Sequence, residues 1–131
     1  MTANKGGNGS AHPCVLLVED EMCLAMMLQD LLEDAGYRVL KAARVAAALN
    51  LAEAEDIDAA ILDVNVAGSE VFPVADALRR RGVPFMFASG YGDRGVPGEF
   101  RPYPMLQKPY DPAALSRMLE NVLTTPDMPL S

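Results

Sequence analysis

The chain is poor in cysteine, in positive charge and in long apolar runs. Cys14 and Cys23 are its two cysteines. They lack metal-ligand spacing and suggest no disulfide framework, so both are expected as buried thiols of a reduced, cytoplasmic protein. Lysine and arginine number 11 against 18 aspartates and glutamates, a net charge of −7. With no basic patch, direct binding to nucleic acid drops out as a working function. No apolar run is long enough to span a bilayer, and the first dozen residues are too polar for a signal peptide. There is no internal repeat and no glycine-rich phosphate loop of the Walker type.

What the chain does have is a half-hydrophobic composition over 131 residues, enough for one domain with a real core. Short apolar runs alternate with stretches of helical period. Cys14–Val18, Tyr37–Leu40, Ala59–Leu62, Pro84–Ala88 and Met105–Gln107 read as strands. Leu24, Met27, Leu28, Leu31 and Leu32 fall at helical spacing, with Gly36 as the C′ stop. Val45–Ala54 reads as a second helix, and a third opens near Pro73 and ends near Arg81-Gly82. The last is capped by Asp111, with Pro112 in its first turn, and presents Leu115, Met118, Leu119, Val122 and Leu123. Met26, Met27, Met86 and Met118 are expected as core filler. Between the fourth and fifth strands, Gly90 to Pro104 holds four glycines and three prolines, too many for a regular helix. A short turn near Gly98-Phe100, or disorder, is expected there. The rhythm implies an α/β fold: a five-stranded parallel sheet in the flavodoxin-like order 2-1-3-4-5, helices on both faces. The domain is expected over residues 13–124, between a disordered tail at 1–12 and a flexible tail at 125–131.

In an open parallel sheet, chemistry sits at the C-terminal ends of the strands. Strand one ends in Glu19-Asp20-Glu21, strand three in Asp63, strand four in Ser89-Gly90 and strand five in Lys108-Pro109. Each alone has an ordinary reading: a helix cap, an acidic first turn, a turn residue, a solvated loop lysine. Together, on one edge, they form a constellation. Three carboxylates raise one another's pKa, and a hard divalent cation such as Mg²⁺ relieves that repulsion. A carboxylate is a competent nucleophile toward phosphorus, with cation and lysine neutralising the phosphoryl oxygens and Ser89 donating a hydrogen bond to one of them.

These segments resemble the receiver domain of bacterial two-component response regulators. The resemblance runs from about Pro13 to Leu123 and rests on Val15–Glu21, Ile61-Leu62-Asp63, Phe87–Gly90 and Leu106–Pro109. It implies a CheY-like fold with Asp63 as phosphoacceptor. Asp20 and Asp63 would bind Mg²⁺ directly, Asn65 through its backbone carbonyl and Glu19 through water. Ser89 would be the switch hydroxyl, Lys108 the partner of the phosphoryl group, and the Lys108-Pro109 bond cis. A narrower resemblance, Pro84 to Gly92, is to the "FATGUY" signature with serine for threonine. It implies a stand-alone receiver whose partner is a histidine kinase of the HWE or related type. The chain departs from the receiver pattern at Met105, where an aromatic usually sits three residues before the lysine, so Gly90 to Pro104 is expected to become ordered on phosphorylation instead.

The expected activity is therefore Mg²⁺-dependent phosphoryl acceptance from a phosphohistidine, not enzymatic turnover on a free substrate. The chain ends eight residues after Leu123, so the signal is expected to leave by a protein–protein contact of the Ser89–Tyr110 surface, by a phosphorelay step or by a phosphate-sink role. The acidic surface, without an obvious exposed apolar stripe, suggests a monomer. Two rivals are a receiver-like docking module that is never phosphorylated, and a Mg²⁺-dependent phosphohydrolase with an aspartate nucleophile. Asp63-Val64-Asn65 is weakly similar to the start of such hydrolases, but in those the aspartate opens the first strand.

Overall fold

A computed structural model describes residues 12–90 and 95–124. The order is β1 (Cys14–Val18), α1 (Met22–Asp34), β2 (Arg38–Ala42), α2 (Val45–Ala54), β3 (Ala59–Asp63) and a small hairpin of β4 (Asn65–Val66) and β5 (Ser69–Glu70). Then come α3 (Phe72–Arg80), β6 (Phe85–Ser89), a 3₁₀ turn (Gly98–Phe100), β7 (Met105–Gln107) and α4 (Pro112–Thr124). Five strands form one parallel sheet in the order β2-β1-β3-β6-β7. This is the expected flavodoxin-like order, shifted in number only by the hairpin. Among the described residues no helix is long and apolar enough to cross a membrane.

The three central strands are the continuous apolar runs, and every residue in them is buried, as a parallel sheet covered on both faces requires. Alternate residues of β1 serve opposite layers. Leu16 and Val18 join Ala48 and Ala52 of α2 and Val74 and Leu78 of α3; Val15 and Leu17 join Leu28 and Leu32 of α1 and Leu115 and Leu119 of α4. The edge strands are half-exposed, with Arg38 and Lys41 of β2 in solvent. Helix ends follow their local chemistry. Gly36 (φ +100°) and Gly82 (φ +73°) terminate α1 and α3, and Asp111 Oδ1 accepts the Ala113 amide (3.1 Å) at the start of α4.

No α-helix occupies the β6–β7 connection among the described residues. The face that it would cover is filled by side chains instead. All four phenylalanines and Tyr103 form one aromatic cluster: Phe100, at the end of the 3₁₀ turn, stacks on Phe72 (5.6 Å between ring centres), Tyr103 stacks on Phe85 (4.3 Å), and Phe87 meets Phe72 and Phe100 edge-on. The Arg79 guanidinium lies 4.8 Å from the centre of the Phe100 ring, adding a cation–π contact. Val96, Phe100 and Tyr103 are all buried. Residues 95–103 are thus tied to the core through these three side chains.

Three expectations need correction. Cys14 is buried, but Cys23 is exposed. Met86 is core, yet Met26 and Met27 are not: Met22, Met26 and Met27 expose 74%, 54% and 49% of their surface. An apolar stripe therefore does run along the outer side of α1, because the stretch from Met22 to Met27 is apolar nearly all round and only one face can meet the sheet. The third difference is the hairpin at 65–70, expected as a plain loop. The tails expected at 1–12 and 125–131, His12 apart, and the residues Tyr91 and Gly92 of the signature lie outside the described residues.

The aromatic cluster generates a stability prediction. Phe100→Ala should lower the unfolding free energy by about 3 kcal/mol, read as a lower urea midpoint. A loss under about 1 kcal/mol would show that Phe100 does not anchor the segment.

Candidate functional site at the C-terminal edge of the sheet

The register of the sheet decides which residues meet. Val18 pairs with Leu62, Asp63 with Ala88, and Ser89 with Gln107. The residues at or just beyond these positions (Glu19, Asp20, Asp63, Ser89 and Lys108) therefore gather at one edge. Glu19 extends the ladder by donating its amide to the Ala42 carbonyl (3.0 Å), and the Lys108 amide donates to the Ser89 carbonyl (2.8 Å). Lys108-Pro109 is a cis peptide bond.

Glu19, Asp20 and Asp63 each offer a carboxylate oxygen within 4.8 Å of the others. Glu19 and Asp63 are buried; Asp20 is exposed. Lys108 Nζ donates to Glu19 Oε1 (2.9 Å) and to Asp63 Oδ2 (3.0 Å). Glu19 Oε2 accepts the Glu21 amide (2.9 Å), and Asp20 Oδ2 accepts the Ala67 amide (2.8 Å). Ser89 is buried at the neighbouring tip. Asn65, exposed, opens the hairpin two residues past Asp63. The structure thus brings Glu19, Asp20, Asp63 and Lys108 into one cluster, with Ser89 and Asn65 on the flanking segments. Sequence reasoning missed the backbone donors Glu21 and Ala67. Ala67-Gly68 between two short polar-flanked pairs was the one signal for the second.

Burial and charge set the electrostatics. Asp63 is pushed up from 3.8 to about 6, first by loss of solvent and then by Glu19 and Asp20, while the hydrogen bond and charge of Lys108 pull it down. Burial lowers Lys108, but its bonds to Glu19 and Asp63 outweigh that and leave it raised. Two of the three carboxylates share one ammonium. Hard oxygen donors carrying this much surplus negative charge fit a divalent cation such as Mg²⁺.

Beside the cluster lies a groove of about 400 Å³ lined by Glu21, Leu24, Met27, Lys108, Pro109 and Tyr110. It opens next to the methionine stripe of α1. Tyr110 is pushed up to about 12, mainly by burial and then by the nearby carboxylates, against the pull of Lys108. It stays a neutral phenol at physiological pH.

Because folding raises the Asp63 pKa, protonated Asp63 favours the folded state. That contribution is full below the unfolded value and is lost as pH rises through about 6. Without divalent cation, Asp63→Asn should therefore gain stability over wild type, by on the order of 1 kcal/mol at pH 7, and the gain should vanish near pH 4. Urea denaturation of both proteins at the two pH values checks this. A gain independent of pH would mean that charge at Asp63 is not its source.

The response regulator receiver domain model matches residues 15–120. Among curated proteins, the phyllosphere-induced regulator PhyR of Methylorubrum extorquens is 34% identical over 83% of this chain and 43% of its own length. The chain spans about half the length of several curated relatives that it matches. Among solved structures, SdrG from Sphingomonas melonis Fr1 is 44% identical, with a TM-score of 0.75 over 88% of this chain and 99% of that one. The receiver domain of a Pseudomonas aeruginosa sensor histidine kinase, solved with a magnesium ion coordinated in its active-site cleft, is 25% identical, with a TM-score of 0.72 over 88% of this chain and 100% of that one. With the family model covering most of the chain, and a five-stranded parallel sheet that carries an acidic cluster and a lysine at its C-terminal edge, the chain belongs to the response regulator receiver domain family.

Proposed function

We propose that this receiver takes a phosphoryl group from a phosphohistidine of a sensor histidine kinase onto Asp63, in a reaction that requires Mg²⁺. The observation that carries the reading is the shared contact of Lys108 Nζ with Asp63 Oδ2 (3.0 Å) and Glu19 (2.9 Å), inside a triad of carboxylates within 4.8 Å. Asp63, Asp20 and the Asn65 carbonyl would hold the cation, with Glu19 acting through water. Bound Mg²⁺ supplies positive charge against the phosphoryl oxygens. In the transfer, an Asp63 oxygen forms a bond to phosphorus, the phosphorus–nitrogen bond of the phosphohistidine breaks, and the imidazole leaves with its electron pair. Lys108, released from one carboxylate contact, pairs with a phosphoryl oxygen, and Ser89 donates to another. Asp63 attacks as carboxylate, and bound Mg²⁺ favours that form, so at saturating Mg²⁺ acceptance should persist below the metal-free midpoint of about 6.

The receiver unit is taken to occupy residues 13–124, the Lys108 edge and the α1 stripe to face the donor, and the β6–β7 surface to carry the signal as output, relay or phosphate sink. The Pro84–Gly92 signature supports the FATGUY assignment, and with it an HWE-type or related kinase as donor and a cytoplasmic, monomeric receiver.

Intact mass after incubation with acetyl phosphate tests the core of this. A single phosphoryl adduct is expected on wild type, abolished in Asp63→Asn and absent when Mg²⁺ is chelated. An adduct that survives Asp63→Asn would overturn the assignment. A folded protein that accepts no phosphoryl group from acetyl phosphate or any kinase would be a docking module. Sustained release of phosphate from a phosphomonoester would make it a hydrolase.

A further inference from the structure

Apart from the Asn65 carbonyl, the hairpin of β4 and β5 has no part in the chemistry above, yet its turn touches it. Glu19 is fixed by Lys108 and the Glu21 amide, and Asp63 by Lys108 and by burial. Asp20 is exposed and lacks both supports. Among the described residues, the hydrogen bond that it accepts comes from the Ala67 amide, 47 positions along the chain, at 2.8 Å.

That amide is available because of the turn. Asn65 pairs with Glu70 and Val66 with Ser69, so Ala67 and Gly68 form a two-residue loop. Their φ values, +51° and +85°, have the sign that a type I′ hairpin turn needs at both positions. Glycine takes such a φ freely, but alanine does not. The strained alanine is held by its surroundings: Val66 and Val71 are fully buried, and the Val71 amide donates to the Val64 carbonyl (3.0 Å). A non-glycine residue kept left-handed beside a candidate cation ligand is the kind of strain that functional sites retain.

We propose that the Ala67 amide is a positioning donor for Asp20: the β4–β5 turn holds that carboxylate beside Glu19 and Asp63 before a cation arrives. The inference rests on the Mg²⁺ reading above. It assigns the hairpin a role in cation affinity, with Ala67 acting through Asp20 and touching neither metal nor phosphoryl group.

The test uses the full chain and Mg²⁺ alone. A Cβ added at Gly68 meets nothing within 4 Å, so Gly68→Val strains the turn through its backbone while its Cβ lies in open space. It should weaken Mg²⁺ binding, measured by calorimetry, by about tenfold, as loss of an outer-shell partner does. Ala67→Gly keeps the amide and relaxes the turn, so its affinity should match wild type. In metal-free protein, Asp20→Ala should speed hydrogen exchange of the Ala67 amide while leaving the Val71 amide protected. Unchanged affinity in Gly68→Val, or unchanged Ala67 exchange in Asp20→Ala, would overturn the positioning role. Failure of wild type to bind Mg²⁺ would overturn the cation reading as well, so the two failures are distinguishable.

Discussion

Repulsion among carboxylates that the sheet forces together is the constraint on which the rest of the molecule turns. β1 and β3 cannot pair in the observed register without bringing the acids that follow β1 next to the one that ends β3. At an effective dielectric constant near 20, two such charges 4 Å apart repel by about 4 kcal/mol. Lys108 answers part of this through its two contacts, and the burial that raises Asp63 answers none of it. What holds the cluster in place is the apolar packing behind it: every residue of β1, β3 and β6 is buried. The core is thus the source of the stability that the site consumes. A cation or a phosphoryl group placed there relieves an existing tension.

The same strand that ends at the site also ends in the aromatic cluster. Ser89 closes β6, and Phe85 and Phe87 of that strand are the partners of Tyr103 and Phe100. Met105, facing Phe87 in the register, packs as a partly buried side chain against the core layer that contains these rings. The aromatic surface that fills the space of a fourth helix is therefore built on the residues next to Ser89. Within that connection, the ring contacts of Phe100 and Tyr103 stand in for a helix face, with Arg79 of α3 against the Phe100 ring.

Much of this was legible in the sequence because its signals are local. The apolar runs ending in Val18, Asp63 and Ser89 announce buried parallel strands and their chemical tips. The Gly- and Pro-rich stretch before Met105 announces that no regular helix forms there. Gly36 and Asp111 mark helix ends where the structure has them. What escaped was either non-local or ambiguous in period. The methionines of α1 have the spacing of a core helix, but a run that is apolar nearly all round does not say which side faces out. Cys23 went wrong for the same reason. The hairpin escaped because Ala67 is a poor candidate for a left-handed turn, and its bond to Asp20 spans 47 positions. The aromatic cluster draws its members from separate segments, and no local signal announces that they meet.

The claim at the centre is that burial, and then the charges of Glu19 and Asp20, hold Asp63 above its ordinary range, and that a divalent cation reverses this. Carbon-detected NMR titration of the Asp63 carboxyl, with and without Mg²⁺, addresses it directly. The account predicts a midpoint near 6 in metal-free protein that moves well below the ordinary aspartate value when Mg²⁺ is present. A midpoint near that of a free aspartate, unmoved by Mg²⁺, would contradict it.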